Sequence, residues 1–357
     1  MIVYLCMTVV SCFFAFLASK NSISHFTIGK LRISKAVVYL ILASIPLILV
    51  SGLRWKTGVD HTNYYYVFYN IRDSLDTHVE IGFKVLCKLI LMFTQNLSVL
   101  FFVCALITVG FTMVAIKQNS TNLFISAFLY ISMGYFYYSM NSIRHFIALS
   151  IYLFAFYFLK KRKLLPYVLC IIVAALFHKI ALIAIPLYFI LNIKFKAYWY
   201  GIFAAILITT NLFHRQILDF IYQFVFNFYK SYELENTGYS LLNIGITLAL
   251  ATLALVYRKK LLEKDKTNII FINSALLGLL FFAFCGWIPV YTRIGQYLTI
   301  LSLFFIPVII DCEERPKIKK LYTISILVGF FAFMIVILLN ARDPRIALLP
   351  YHSVLSK

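Results

Sequence analysis

AVVYLILASIPLILVSGL, residues 36–53, runs for eighteen residues without a charge and stops at RWKTGVDHTNYYYVFY, residues 54–69. A helix needs roughly 20 apolar residues to cross a bilayer, so the first stretch reads as a membrane span. The second carries an arginine, a lysine, an aspartate and five aromatics between Tyr64 and Tyr69. An ordinary connecting loop requires none of these.

Working outward, comparable apolar runs recur along the chain. Spans are expected at 2–19, 36–53, 98–116, 123–140, 146–159, 164–177, 180–192, 199–212, 242–257, 268–290, 294–310 and 321–340. Those at 164–177 and 180–192 are short, and read equally as one broken helix or a hairpin whose tip stays below the surface. The first run lacks a basic leader and a small-residue cleavage site, so it reads as a retained span. The expected fold is all-α: a polytopic transmembrane bundle of about twelve spans, with residues 1–357 as one integral membrane domain.

Composition agrees. The chain is 62% hydrophobic and 13% charged, against about 25% charged in soluble domains. The net charge of +20 raises nucleic acid as a partner, but the positives sit in short clusters between spans. Nucleic acid is therefore not expected, and the partner is the lipid bilayer. The seven cysteines are scattered, with no CxxC pair, and signal neither metal nor disulfides.

With the N-terminus outside, six inner loops of 52 residues hold 20 of the 33 Lys and Arg residues. KKRK at 160–163 and RKKLLEKDK at 258–266 weigh most. The positive-inside rule favours this orientation, which makes 54–97 and 213–241 outer loops. In 215–230, Arg215, Asp219, Gln223 and Asn227 repeat every four residues opposite an apolar face. In 79–94, Glu80, Lys84 and Lys88 line one stripe beside Ile81, Val85 and Leu89. Both patterns predict helices lying in the membrane interface.

Three outer arginines run against the orientation rule. Arg54 ends the second span, while Arg144 in SMNSIRHFIALS and Arg293 in GWIPVYTRIGQY sit between spans with little loop. Snorkelling at helix ends is the plain alternative for each. Three at one depth fit a phosphorylated lipid headgroup, because the guanidinium fork matches phosphate oxygens. Asn141, Arg144 and His145 are spaced i, i+3, i+4, which places them on one helix face. His178 interrupts VLCIIVAALFHKIALIAIPLYF, and ionisable groups at membrane depth are expensive and often functional. Its unperturbed pKa of about 6.5 suits a general base. Asp60 and Glu80 are the outer acids closest in sequence to Arg54; each fits an arginine partner, a base, or a solvated carboxylate.

The chain has no GxxxxGK[ST] loop, no DxD pair, no HExxH and no GxSxG. No metal site and no cofactor are expected, and energy must come from an activated substrate, a gradient or a partner.

The pattern R-x3-G-x-D-x3-Y at Arg54, Gly58, Asp60 and Tyr64 resembles the signature of the EpsG family of polysaccharide polymerases, functional relatives of the O-antigen polymerase Wzy. Also similar are E-x-G-F at Glu80 to Phe83, N-x2-R at Asn141 and Arg144, the run KKRK, and LFHKIALIAIPLY around His178. The similarity covers roughly residues 36–190. The family usually has glutamine after the central arginine, where this chain has His145.

The resemblance implies a membrane glycosyltransferase that joins oligosaccharide repeat units carried on undecaprenyl diphosphate. It would act at the outer face of the bacterial cytoplasmic membrane, in O-antigen, capsule or exopolysaccharide synthesis. A flippase and a chain-length regulator of the same pathway are implied as partners. On this view Arg54, Arg144 and Arg293 clamp the donor diphosphate without a metal. His178 or Asp60 takes the acceptor proton, Glu80 orients an arginine, Asn141 supports substrate binding and Tyr64 contacts sugar. The rival readings are a flippase, an outer-face ligase, and a noncatalytic scaffold.

Overall fold

The computed structural model describes residues 1–28, 31–217, 219, 239–288, 290–344 and 346–356. It is 78% helical, an all-α polytopic bundle. Among the described residues, seven helices are long and apolar enough to cross a membrane, or up to nine if each bent pair is one span, and three shorter apolar helices accompany them. The chain divides into two compact units, Met1–Leu182 with Ile306–Lys357, and Ile183–Phe305.

The first unit begins with α1 (Ile2–Lys20) and a small antiparallel hairpin, β1 (His25–Ile28) and β2 (Leu31–Ser34), paired from His25 opposite Ser34 to Ile28 opposite Leu31. The hairpin was not expected. Then come α2 (Lys35–Gly52), α3 (His61–Arg72), α4 (Ile81–Leu91) and α5 (Leu97–Asn119). Asn96 caps α5 by accepting from the Ser98 N–H at 3.0 Å. α6 (Leu123–Ser132) and α7 (Tyr135–Asn141) form one of the bent pairs, at 48°. The bend falls at Gly134, whose φ of +87° costs a glycine little. α8 (Ile143–Lys160) and α9 (Leu164–Phe177) follow.

α2 packs on α1 and α5, and α8 on α5 and α9. Lipid offers no hydrophobic drive between helices, so close approach depends on small residues and hydrogen bonds. Ser11 donates to the Ala43 carbonyl at 2.7 Å. At Gly52 a Cβ would stand 2.8 Å from the Phe102 Cα, too close to be accommodated without movement. α8 is apolar nearly all round and is buried along most of its length, as such a helix must be.

The helix expected within 79–94 is present as α4, with one face buried. Phe83, Cys87 and Ile90 face inward, while Ile81, Val85 and Leu89 remain exposed. The second expected surface helix, over 215–230, lies outside the described residues except for 215–217 and 219.

After His178 the chain makes a 3-10 turn (Lys179–Ile183) and enters the second unit with α10 (Ala184–Ile190) and α11 (Ala197–Leu212). α12 (Leu241–Val256), α13 (Arg258–Lys264), α14 (Ile269–Phe284) and α15 (Tyr291–Thr299) complete it, with α14 packing on α11, α12 and α15. α16 (Ser302–Cys312) leads back to the first unit, where α17 (Pro316–Leu339) begins with a proline, whose fixed φ suits a first helical turn. α17 packs on α6.

The C-terminal segment then lies along the loop between α2 and α3. Gly58 N–H donates to the Ala347 carbonyl at 2.7 Å, Trp55 N–H to His352 at 2.9 Å, and Val354 N–H to Leu53 at 2.8 Å. The loop that carries Arg54, Gly58 and Asp60 is thus held from more than 280 residues away.

Candidate active site

Glu80 is the N-cap residue of α4, and its two carboxylate oxygens take different partners. Oε2 accepts from Arg144 Nη1 in an ion pair, and Oε1 lies 3.1 Å from His178 Nδ1. Arg144 comes from the first turn of α8. His178 ends α9, where the backbone leaves the helical region at φ −157°, ψ 112°. Three elements therefore deliver an acid, a base and a cation to one point. All three side chains are largely buried, at 12%, 11% and 19% exposure for Glu80, His178 and Arg144.

Burial alone would raise the Glu80 pKa. The hydrogen bond from His178 and the Arg144 charge outweigh it and hold the carboxyl down at about 2. Glu80 is an anion at any working pH, and its charge serves both neighbours. The His145 ring stands 5.2 Å from the His178 ring, nearly perpendicular to it. The position where the family usually has glutamine thus faces the same site.

Tyr64 supports this cluster from α3. Its hydroxyl accepts the Arg144 backbone N–H at 3.3 Å, and its side chain is 3% exposed. Burial raises the phenol pKa against the pull of Arg144, while Asp60, one turn earlier, pushes it up further. Tyr64, expected as a sugar contact, is buried and supports Arg144.

The reading of Asn141, Arg144 and His145 on one helix face is corrected. α7 ends at Asn141 and α8 starts at Ile143, with Ser142 at ψ 61° between them. The Asn141 amide is occupied by structure: Oδ1 accepts from Val59 N–H at 3.0 Å, and Nδ2 donates to the Ile346 carbonyl at 3.0 Å. It ties the Arg54 loop to the C-terminal segment. Gly58 makes room for it, since a Cβ there would lie 2.5 Å from Asn141 Oδ1.

Arg54 is 1% exposed. Nη1 donates to the Ser51 carbonyl and hydroxyl at 3.3 and 3.1 Å, and the guanidinium lies 4.6 Å from the centre of the Phe101 ring. Nε and Nη2 have no hydrogen-bond partner among the described residues. Burial lowers its pKa to about 10, partly offset by Tyr4, Cys104, Tyr64 and Tyr351. Tyr64 thus bears on Arg54 electrostatically and on Arg144 through its backbone N–H. Arg293 belongs to the second unit, half-buried on α15.

Gly82 went unassigned in the sequence although it lies in the E-x-G-F motif. A Cβ there would stand 2.7 Å from the Leu176 carbonyl oxygen. Gly82 is two residues from Glu80, and Leu176 two from His178, so this contact sets how closely α4 approaches α9. Gly82→Ala should separate Glu80 from His178 and lower the activity of the site by about tenfold or more, since a misplacement of about 1 Å can cost 10²-fold. Wild-type activity from Gly82→Ala would show that the approach is not needed.

No curated protein matches the chain, and no solved structure does. A sequence profile of the EpsG family matches residues 37–353. With nearly its whole length matched, this multi-pass membrane chain belongs to the EpsG family, a family of Wzy-like polysaccharide polymerases.

Proposed function

We propose that this chain polymerises oligosaccharide repeat units carried on undecaprenyl diphosphate, working at the outer face of the bacterial cytoplasmic membrane with its N-terminus outside. The observation that carries the reading is Glu80 joined at once to Arg144 and His178, in a chain matched to the family over 37–353.

The acceptor is a sugar hydroxyl and the donor a glycosyl diphosphate. The hydroxyl oxygen attacks the anomeric carbon, and the bond from that carbon to the diphosphate oxygen breaks with its electron pair going to phosphate. The hydroxyl proton goes to His178. A histidine that gives its Nδ1–H to Glu80 keeps the Nε2 lone pair for that proton, the arrangement by which a carboxylate sets an imidazole tautomer. Such base catalysis contributes about 10²–10⁴-fold. Between the two candidate bases, the bond to Glu80 favours His178 over Asp60.

Arg144 gives one N–H to Glu80 and keeps others for phosphate oxygens; its Nε has no hydrogen-bond partner among the described residues. It stabilises the charge that develops on the leaving group, the kind of preorganised contact that often dominates catalysis. Arg54 supplies a second cation, whose Nε and Nη2, unmatched among the described residues, donate to a phosphate oxygen when substrate enters. The glycosyl–diphosphate bond is already activated, so no nucleotide is consumed and we read the transfer as metal-independent.

The test is incubation of the purified protein in detergent with lipid-diphosphate-linked repeat units. A ladder of lipid-linked oligomers is expected. A single transfer to a different acceptor would make it a ligase. Failure to lengthen in detergent, combined with movement of the lipid across vesicles, would make it a flippase.

A further inference from the structure

Within the second unit, helices α10, α11, α14 and α15 line an open cleft of about 560 Å³, in the roughly 300–1,000 Å³ range of ligand pockets. Its wall is entirely apolar and includes Ile190, Trp199, Phe203, Leu277, Phe281 and Leu298. In a bilayer such a space holds hydrocarbon. Lipid tails are as apolar as the wall, so burial alone selects no particular chain. Selection must come from polar groups at its end.

Such groups are present. Following α11, the cleft residues at 199–207 precede Asn211 and His214; following α14, those at 277–281 precede Gly286 and Trp287. α15 runs the other way, from Tyr291 to Leu298. All three helices thus place a polar and aromatic cluster at the same end. Asn211 donates to the Tyr239 hydroxyl and, at 2.8 Å, to the Phe284 carbonyl. The Tyr239 ring lies against Gly286, where a Cβ would stand 2.7 Å from it, and remains 47% exposed. The His214 and Trp287 rings lie 6.0 Å apart. The Trp287 indole N–H is buried with no hydrogen-bond partner among the described residues. Arg293, two residues beyond Tyr291, forms no ion pair among the described residues.

We infer that this cleft and its end cluster form a separate binding site for a glycosylated polyprenyl diphosphate. The chain occupies the apolar cleft, the diphosphate pairs with Arg293, and the first sugar lies against Trp287 and Tyr239. An unpaired arginine calls for an anion, and amphipathic rings with an unmatched donor suit a sugar face and its hydroxyls. The choice of lipid rests on the polymerase reading; the site itself rests on the second unit alone. A reaction between two lipid-linked chains requires two lipid sites, and this supplies one that Glu80, Arg144 and His178 do not.

The experiment uses the full-length protein in detergent with a photoreactive polyprenyl diphosphate, cross-linked peptides being mapped by mass spectrometry. Adducts are expected within 187–207 and 277–298, competed by saccharide-bearing polyprenyl diphosphate and not by phosphatidylglycerol. The wild-type map needs no substitution. In addition, Arg293→Ala should weaken competition by about tenfold, as loss of a charge-assisted contact does, and Leu277→Trp should fill the cleft and remove the adduct. Adducts confined to the first unit, or equal competition by phosphatidylglycerol, would overturn the site. Polymer formation without these adducts would sink the site and leave the polymerase reading standing. Adducts without polymer formation would do the reverse.

Discussion

Glu80→Gln should leave the protein folded and lower polymer formation by about 10²-fold, one of the two largest effects expected. The substitution keeps shape and removes charge. Arg144 loses its counterion, and breaking a buried pair by removing one partner costs about 3–5 kcal/mol; each 1.36 kcal/mol on a barrier is about tenfold. The partial exposure of both groups puts the effect toward the lower end of that range. His178 loses the anion that favours its protonated form during transfer. Polymer yield against protein level, measured in a strain lacking the native gene, checks it.

The pH dependence follows from the same carboxylate. Its pKa in the folded protein, about 2, lies below the ordinary 4.5. The stability it contributes is fully present above about pH 4.5 and is lost as pH falls toward 2. Activity lost between pH 5 and 7 therefore comes from another group, and Glu80 should still be ionised there. A carboxyl signal titrating in that window and missing from Glu80→Gln would contradict this placement.

Arg54→Met should abolish polymer formation and raise thermal stability together. A guanidinium that is 1% exposed, with Nε and Nη2 unmatched and no carboxylate bonded to it among the described residues, is costly to keep. Replacing buried ionic groups by apolar ones of similar size often stabilises by about 1–4 kcal/mol. Methionine retains the stem and its contact with Phe101. A higher melting midpoint in detergent with no polymer would mark Arg54 as kept for substrate at the expense of stability. A lower midpoint with residual polymer would make it a structural brace, held by Ser51 and Phe101.

Much of this was readable in the sequence, and for an identifiable reason. Bilayer thickness forces long apolar helices, so α1, α2, α5 and α17 announce themselves by length alone. Local spacing was less reliable. The i, i+3, i+4 reading at Asn141 presumed a helix that Ser142 breaks, and nothing nearby marks that break except side chains able to bond the backbone. The hairpin at 25–34 has only a weak local signal, two short β-prone runs two residues apart, a hairpin spacing. Glu80 and His178, separated by 98 residues, could be nominated singly as ionisable groups in improbable places. Their pairing depends on Gly82 resting against the Leu176 carbonyl, a contact between α4 and α9 that no periodicity encodes. Arg54 at the end of a span looked the same in sequence whether it snorkelled or turned inward. The C-terminal segment that fixes its loop was equally invisible.

The central claim is that the Arg144 guanidinium, anchored by Glu80 beside His178, grips the donor diphosphate during glycosyl transfer. The most direct measurement is chain extension by purified protein on defined lipid-diphosphate-linked repeats, comparing wild type with Arg144→Ala at matched folding. The account predicts a ladder from wild type and unreacted donor from the variant. A full-length ladder from Arg144→Ala would contradict it.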